Sequence, residues 1–126
     1  MSKDIIVTAA APKAIGPYSQ AVRVGNTVWV SGQIPLDPVS GELVKGPIEA
    51  QARRVFENLK AIVSAAGYQL DEVVKATVFL TDLKNFAAVN QVMAEYFREP
   101  YPARAALGVA ALPRGAEIEV ECILAR

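Results

Sequence analysis

The feature that most constrains this chain is its last segment, where Glu117, Ile118, Glu119, Val120, Glu121, Cys122, Ile123 and Leu124 alternate between polar and apolar. A period of two marks a strand with one buried face, because successive side chains leave a strand on opposite sides. A second apolar run, Pro102 to Leu112, precedes it and carries Arg104 near its start. Pro113, Arg114 and Gly115 stand between the runs and predict a turn, so the two are expected to pair as an antiparallel hairpin. Arg104 on one strand and the glutamates on its neighbour would then share one face of a sheet. That face is where the chemistry is expected.

Upstream, Asp4 to Thr8 is a short β-branched strand, and Ala9 to Gln20 is a loop punctuated by Pro12, Gly16 and Pro17. Ala21 to Val24 and Thr27 to Ser31 flank Gly25 and Asn26, a two-residue hairpin signal that requires positive φ. Gly32 to Gly46 is another loop. Pro47 suits a first helical position and Gly67 the residue past the end, with Ile48, Ala52, Val55, Leu59, Ile62, Val63 and Ala66 at helical spacing between them. Glu49 and Arg53 on that helix are four apart, an ion pair worth about 0.2–0.5 kcal/mol. Val73 to Leu80 returns to strand. Asp82 caps a second helix, roughly Leu83 to Arg98, whose stripe is Phe86, Val89, Met93 and Phe97 with Asn90 beside it. The expected fold is α+β: a mixed six-stranded sheet with two helices over one face, in a single domain spanning residues 1–126.

Sorting each strand by alternation gives a helix-covered face of Val22, Val24, Val28, Val30, Val74, Ala76, Val78, Leu80, Ala105, Leu107, Val109, Ile118, Val120, Cys122 and Leu124. The opposite face collects Arg23, Trp29, Ser31, Val73, Lys75, Thr77, Phe79, Arg104, Ala106, Gly108, Glu117, Glu119, Glu121 and Ile123. That second set is too apolar for bulk water and too polar for a core, a mixture that fits contact with another subunit. A homo-oligomer with clefts between subunits is expected; a partly exposed sheet with stray aromatics is the plainer alternative.

The balance of residue types closes several routes. Thirteen basic residues offset thirteen acidic ones, which argues against nucleic acid and anionic membrane as partners. Without histidine, no Ser/His/Asp or Cys/His nucleophile system can be built. One cysteine allows neither an intrachain disulfide nor a Cys/His zinc site; a hard-metal site of carboxylates stays open, though no EF-hand spacing appears. Met1 to Thr8 lacks a long apolar stretch and no run reaches membrane-span length, so a cytoplasmic protein without a signal peptide is expected.

Arg104 offers a planar fork that fits a carboxylate bidentately, and Glu119 can hold a water and accept its proton. Together they can bind a small carboxylic acid and present water to the adjacent carbon. By spacing alone, a structural Arg–Glu salt bridge across the hairpin is the commoner outcome. Ser31 and Tyr18 supply hydroxyls nearby, and Asn90 can support the site from the second helix or simply solvate its edge. Gly32 and Gly115 read as turn glycines, Glu117 and Glu121 as solvated or paired, and Cys122 as a small core hydrophobe.

The ordered segments Ala14-Ile15-Gly16-Pro17-Tyr18-Ser19-Gln20-Ala21, Ser31-Gly32-Gln33-Ile34-Pro35, Asn58-Leu59, Ala65-Ala66-Gly67 and Thr81-Asp82-Leu83 are also present. They are followed by Pro102-Ala103-Arg104, Val109-Ala110-Ala111-Leu112-Pro113-Arg114-Gly115 and Ile118-Glu119-Val120-Glu121. This series resembles the Rid (YjgF) family of reactive-intermediate deaminases, most of all its RidA branch, over nearly the whole chain. The resemblance implies a chorismate-mutase-like trimer with sites at subunit interfaces. It also implies hydrolysis of 2-imino acids and their enamine tautomers (the 2-aminoacrylate and 2-iminobutanoate class, released by pyridoxal-phosphate dehydratases) to 2-keto acids and ammonia. By the same resemblance Arg104 clamps the substrate carboxylate, Glu119 positions water, and Tyr18, Ser31 and Asn90 line or support the site, and no metal or organic cofactor is implied. Relatives often carry cysteine where this chain has Ala106; if that position binds ligand through its backbone, hydrolysis survives and any thiol chemistry is lost. The stretch from Asn90 to Arg104 is also shorter than in many relatives. Two other readings stand beside the deaminase: a non-catalytic trimer that binds small metabolites such as 2-keto acids or partner proteins, and RNA cleavage or translation inhibition, against which the zero net charge and the lack of a basic stripe or histidine argue.

Overall fold

Alternation in the last segment puts Ile118, Val120, Cys122 and Leu124 on one side of a strand, and in the computed structural model all four are buried beneath two helices. The described residues are 2–126; Met1, the first residue of the expected domain, lies outside them. The strands are β1 (Asp4–Ile6), β2 (Ala21–Val24), β3 (Thr27–Gln33), β4 (Val73–Leu80), β5 (Ala103–Gly108) and β6 (Ile118–Ala125). The α-helices are α1 (Ile48–Ala65) and α2 (Phe86–Tyr96), the latter preceded by a 3₁₀ turn, Leu83–Asn85. One mixed α+β sheet results, in the order β1-β2-β3-β6-β4-β5.

The local signals account for most of these elements. β2 and β3 pair with Val24 opposite Thr27, and Gly25 alone supplies the positive φ, at 58°. α1 begins after Pro47, which stands one residue outside the helix rather than at its first position. Asp82 caps the 3₁₀ turn by accepting the Lys84 amide at 2.9 Å, so the expected second helix starts as 3₁₀ and becomes α only at Phe86. Arg53 passes over Glu49 and makes a bidentate pair with Glu95 of α2, at 3.0 and 2.8 Å, clipping the two helices together. Between helices and sheet lies a core centred on Val55, Phe56, Leu59, Ile62, Val78 and Val120.

Two expectations fail, and they fail together. β5 and β6 do not form a hairpin: β4 lies between them, parallel to β5 and antiparallel to β6. Pro113–Gly115 is a 3₁₀ turn linking strands that are not neighbours, with Arg114 itself in the left-handed region at φ 58°. β5 is instead the return leg of a β4–α2–β5 crossover, the connection that parallel strands require. That changes its facing. Arg104 registers with Ala76, and Ala76 with Cys122, so Arg104, Ala106 and Gly108 sit on the helix-covered side. Ala105 and Leu107 register with Thr77 and Phe79 on the open side.

The same inversion occurs at the other edge. Ala21 and Arg23 fall on the helix side opposite Val30 and Val28, with Arg23 reaching the Ala66 carbonyl at 3.5 Å. Val22 faces the open side with Trp29. A register shift at the start of β4 buries Val73 and exposes Val74. Glu117 precedes β6 and accepts from the Gln51 amide of α1 at 3.1 Å, so it leaves the open face too. What remains there is a band from Ile5 through Val22, Trp29 and Ile123 to Lys75 and Ala103, with Phe79, Leu107, Glu119 and Glu121 alongside. Trp29 and Leu107 are each 45% exposed on it. Among the described residues no helix is long and apolar enough to cross a membrane.

Candidate functional site

The candidate residues fall into two groups on opposite sides of the sheet. The first surrounds Arg104. Phe86, Asn90 and Met93 recur at i, i+4 and i+7 on α2, so they form one stripe along the face that meets β5. Arg104 lies against all three: its Nη1 donates to Asn90 Oδ1 at 2.5 Å, its guanidinium carbon stands 4.9 Å from the centre of the Phe86 ring, and Met93 Sδ is 3.8 Å from Nη1. Beside it opens a cavity of about 410 Å³ lined by Asn90, Met93, Phe97, Tyr101 and Arg104. Ala106 follows two residues along on the same side of β5, exposed at the sheet edge.

The second group surrounds Glu119. Tyr18, Ser31, Gly32, Arg114 and Glu119 line a cavity of about 670 Å³ whose other walls include Ile15, Ile34 and Pro113. The loop that brings Tyr18 here is fastened by Gln20, a buried side chain that accepts the Thr8 amide at 2.7 Å and donates to the Pro12 carbonyl at 2.8 Å. Ser31 Oγ donates to the Ser19 carbonyl at 2.5 Å, which occupies its proton. The Tyr18 hydroxyl accepts the Ile15 amide at 3.3 Å and so keeps its own proton for a ligand.

Gly32 is no turn glycine. It sits inside β3 at a register shift between Val30 and Gln33, and a Cβ there would run into the Glu119 carboxylate. Its missing side chain makes the room in which Glu119 stands. Burial, and then the charge of Glu121, push the Glu119 carboxyl above the usual carboxylate range. Cys122, on the helix side as expected, is buried, which pushes its thiol up to about 12 and leaves it chemically quiet.

Arg104 and Glu119 do not meet within the chain. Glu119 registers with Phe79 on the open side and Arg104 with Ala76 beneath the helices, so the expectation of a shared face is overturned. The plainer alternative, a structural Arg104–Glu119 salt bridge, is overturned as well. The ion pairs among the described residues are Arg23–Asp4, Arg53–Glu95, Arg98–Asp71 and Arg126–Glu72. The structure thus brings Tyr18 and Ser31 to Glu119, and Asn90 to Arg104. Sequence reasoning overlooked Phe86, Met93 and Gly32. The first two were legible as helical spacing but passed for core; the third passed for a turn. Chemically, one half offers a cation to an anionic ligand and the other a carboxylate able to hold water and take a proton.

Comparison with known proteins places the chain and its fold. The chain is 49% identical to a 2-iminobutanoate/2-iminopropanoate deaminase of Dermatophagoides farinae, over 97% of this chain and 95% of that one. It superposes on the crystal structure of RidA from the Antarctic bacterium Psychrobacter sp. with a TM-score of 0.94, at 55% identity, covering 98% of this chain and 99% of the other. Escherichia coli TdcF, solved with bound serine, gives a TM-score of 0.92 at 46% identity, covering 98% of each chain. The Endoribonuclease L-PSP family profile matches residues 8–126. With that match on nearly every residue and the same fold in its relatives, the chain belongs to the Endoribonuclease L-PSP family, the Rid (YjgF) family.

Proposed function

We propose that this protein, folded as one Rid-type domain over residues 1–126, is a hydrolytic deaminase of 2-imino acids and their enamine tautomers, and that it works as a homotrimer. The observation that carries the reading is the separation of the two half-sites: an arginine that has no anionic partner among the described residues on one side, a glutamate able to accept a proton on the other. Neither half is a catalyst alone. Packing the open face of one protomer against the Arg104 edge of the next completes the site and covers Trp29 and Leu107 at the same time. The deaminase name of the Dermatophagoides relative and the serine held by TdcF, an amino acid with the same α-carboxylate, support the substrate class.

In this reading Arg104 takes the substrate carboxylate and Asn90 braces the guanidinium. The Tyr18 hydroxyl and the backbone at Ala106 orient the ligand, and Ser31 holds the Tyr18 loop through Ser19. Water on Glu119 adds to C2 of the imine, and its proton passes to the carboxylate. The resulting carbinolamine collapses in two proton movements: Glu119 returns the first proton to the nitrogen, the C–N bond breaks to release ammonia, and the hydroxyl gives up its own proton to the freed carboxylate or to solvent as the C=O bond of the 2-keto acid forms. An iminium carbon is already electrophilic, so placing water beside it is enough, and no histidine is required.

The test follows decay of freshly generated 2-iminobutanoate together with ammonia release. Catalytic amounts of protein should speed both well beyond buffer. Saturable 2-oxobutanoate binding without turnover would instead favour a non-catalytic binding trimer. Gly32 gives a further expectation. Gly32→Ala should displace Glu119 and lower kcat by about tenfold or more, the scale of a misplaced catalytic group, while 2-oxobutanoate binding changes little. An unchanged kcat would mean Glu119 does not need its present position.

A further inference from the structure

We infer that Phe86 is a positioning residue for substrate recognition, holding the Arg104 guanidinium in place by its ring face without neutralising it; the inference rests on the carboxylate clamp proposed above. An arginine on an edge strand is ordinarily mobile or paired with a carboxylate. Among the described residues Arg104 has no such carboxylate, and three groups lie against it instead. The three groups against it are an amide oxygen, an aromatic face and a thioether, all uncharged. Glu95, the acid on the adjacent part of α2, is committed to Arg53. The cradle therefore orders the cation and leaves its charge for an incoming anion.

Phe86 is the member of that cradle that cannot hydrogen-bond. Its position is set twice: it opens α2 directly after the Asp82-capped turn, and it packs half-buried against the core. The guanidinium lies 4.9 Å from the ring centre, within the range of a cation–π contact. Asn90 engages Nη1, so the contact with the Phe86 ring adds a second point of restraint on the guanidinium and limits where its remaining N–H groups can point. A carboxylate then meets an oriented pair of donors and loses less entropy on binding. The chemistry recognised is any small 2-substituted carboxylate, and an uncharged analogue gains nothing from Phe86.

The test is a double-mutant cycle on Phe86→Leu and Arg104→Ala, with Phe86→Trp as the conservative variant and melting curves to confirm folding. Phe86→Leu should raise KM for 2-iminobutanoate and Kd for 2-oxobutanoate by about three- to thirtyfold, with kcat within about twofold. Phe86→Trp should restore binding. In the Arg104→Ala background Phe86→Leu should have no further effect, and affinity for the uncharged 2-oxobutanamide should not change in either variant. Loss of amide and carboxylate binding alike, or an undiminished effect without Arg104, would reduce Phe86 to packing and overturn the inference. If Arg104→Ala itself leaves carboxylate binding intact, the clamp falls and this inference with it; if only Phe86→Leu is silent, the clamp stands and this inference alone fails.

Discussion

Replacing Arg104 by alanine is expected to lower kcat/KM for 2-iminobutanoate by about 10²–10⁴-fold, because two charge-assisted hydrogen bonds of about 1.5–3 kcal/mol each are lost at the carboxylate. The cost to folding should be small. Arg104 is exposed on an edge strand and takes part in none of the ion pairs among the described residues. The variant therefore loses only the Asn90 hydrogen bond and the Phe86 contact, about 1–2 kcal/mol together, and should stay folded with a melting temperature lowered by several degrees. Arg104→Lys keeps the charge but not the planar fork and should fall between the two. Steady-state kinetics with matched melting curves decide the matter. An alanine variant with parental kcat/KM would remove the carboxylate clamp from the account.

Glu119→Gln should reduce kcat by about 10²–10⁴-fold, the usual worth of a general base, while Kd for 2-oxobutanoate stays within about threefold. Its environment adds a pH signature. Burial and the neighbouring charge of Glu121 raise the carboxyl, so the acidic limb of kcat/KM should lie above the ordinary carboxylate range, activity rising as pH passes through the raised value. Glu121→Gln removes the lesser cause and should move that limb to lower pH without bringing it down to the free value. Stability must follow the same linkage. A carboxyl that holds its proton more tightly when folded costs stability as pH climbs from its unfolded to its folded pKa, so Glu119→Gln should lose less stability than the parent across that interval. A limb that ignores Glu121→Gln would show that another group titrates.

Both variants concern residues that the sequence singled out, yet their spatial relation was misread, and the reason is physical. Alternation tells which residues of one strand share a side, but not which strand lies beside it. For β6 and the centre of β4 both answers agreed, because deep burial leaves no choice: Ala76, Val78, Val120 and Cys122 are all covered. At the edges the pattern loses its force. Ala105 and Leu107 look like core, but β5 is flanked by β4 alone, and its helix side is occupied by the side chain of Arg104 lying on Phe86. Arg23 misled in the same way by reaching past β2 to the Ala66 carbonyl. The turn at Pro113–Gly115 was legible as a turn, but a turn does not say whether the strands it joins are neighbours. Gly32 was hidden for a related cause: a glycine needed for close approach of a side chain from another strand leaves no local mark.

The central claim is that each reaction site takes Arg104 from one protomer and Glu119 from another, and complementation tests it most directly. Arg104→Ala and Glu119→Gln proteins, each inactive alone, are unfolded, mixed in equal amounts and refolded together. An interface is intact when the protomer giving arginine carries only the Glu119 change and its neighbour only the Arg104 change, so random assembly into a ring restores about a quarter of parental deaminase activity. If the two groups had to come from one chain, no mixed assembly would contain a complete site. Activity no higher than the sum of the two variants, from trimers confirmed to be mixed, would contradict the account.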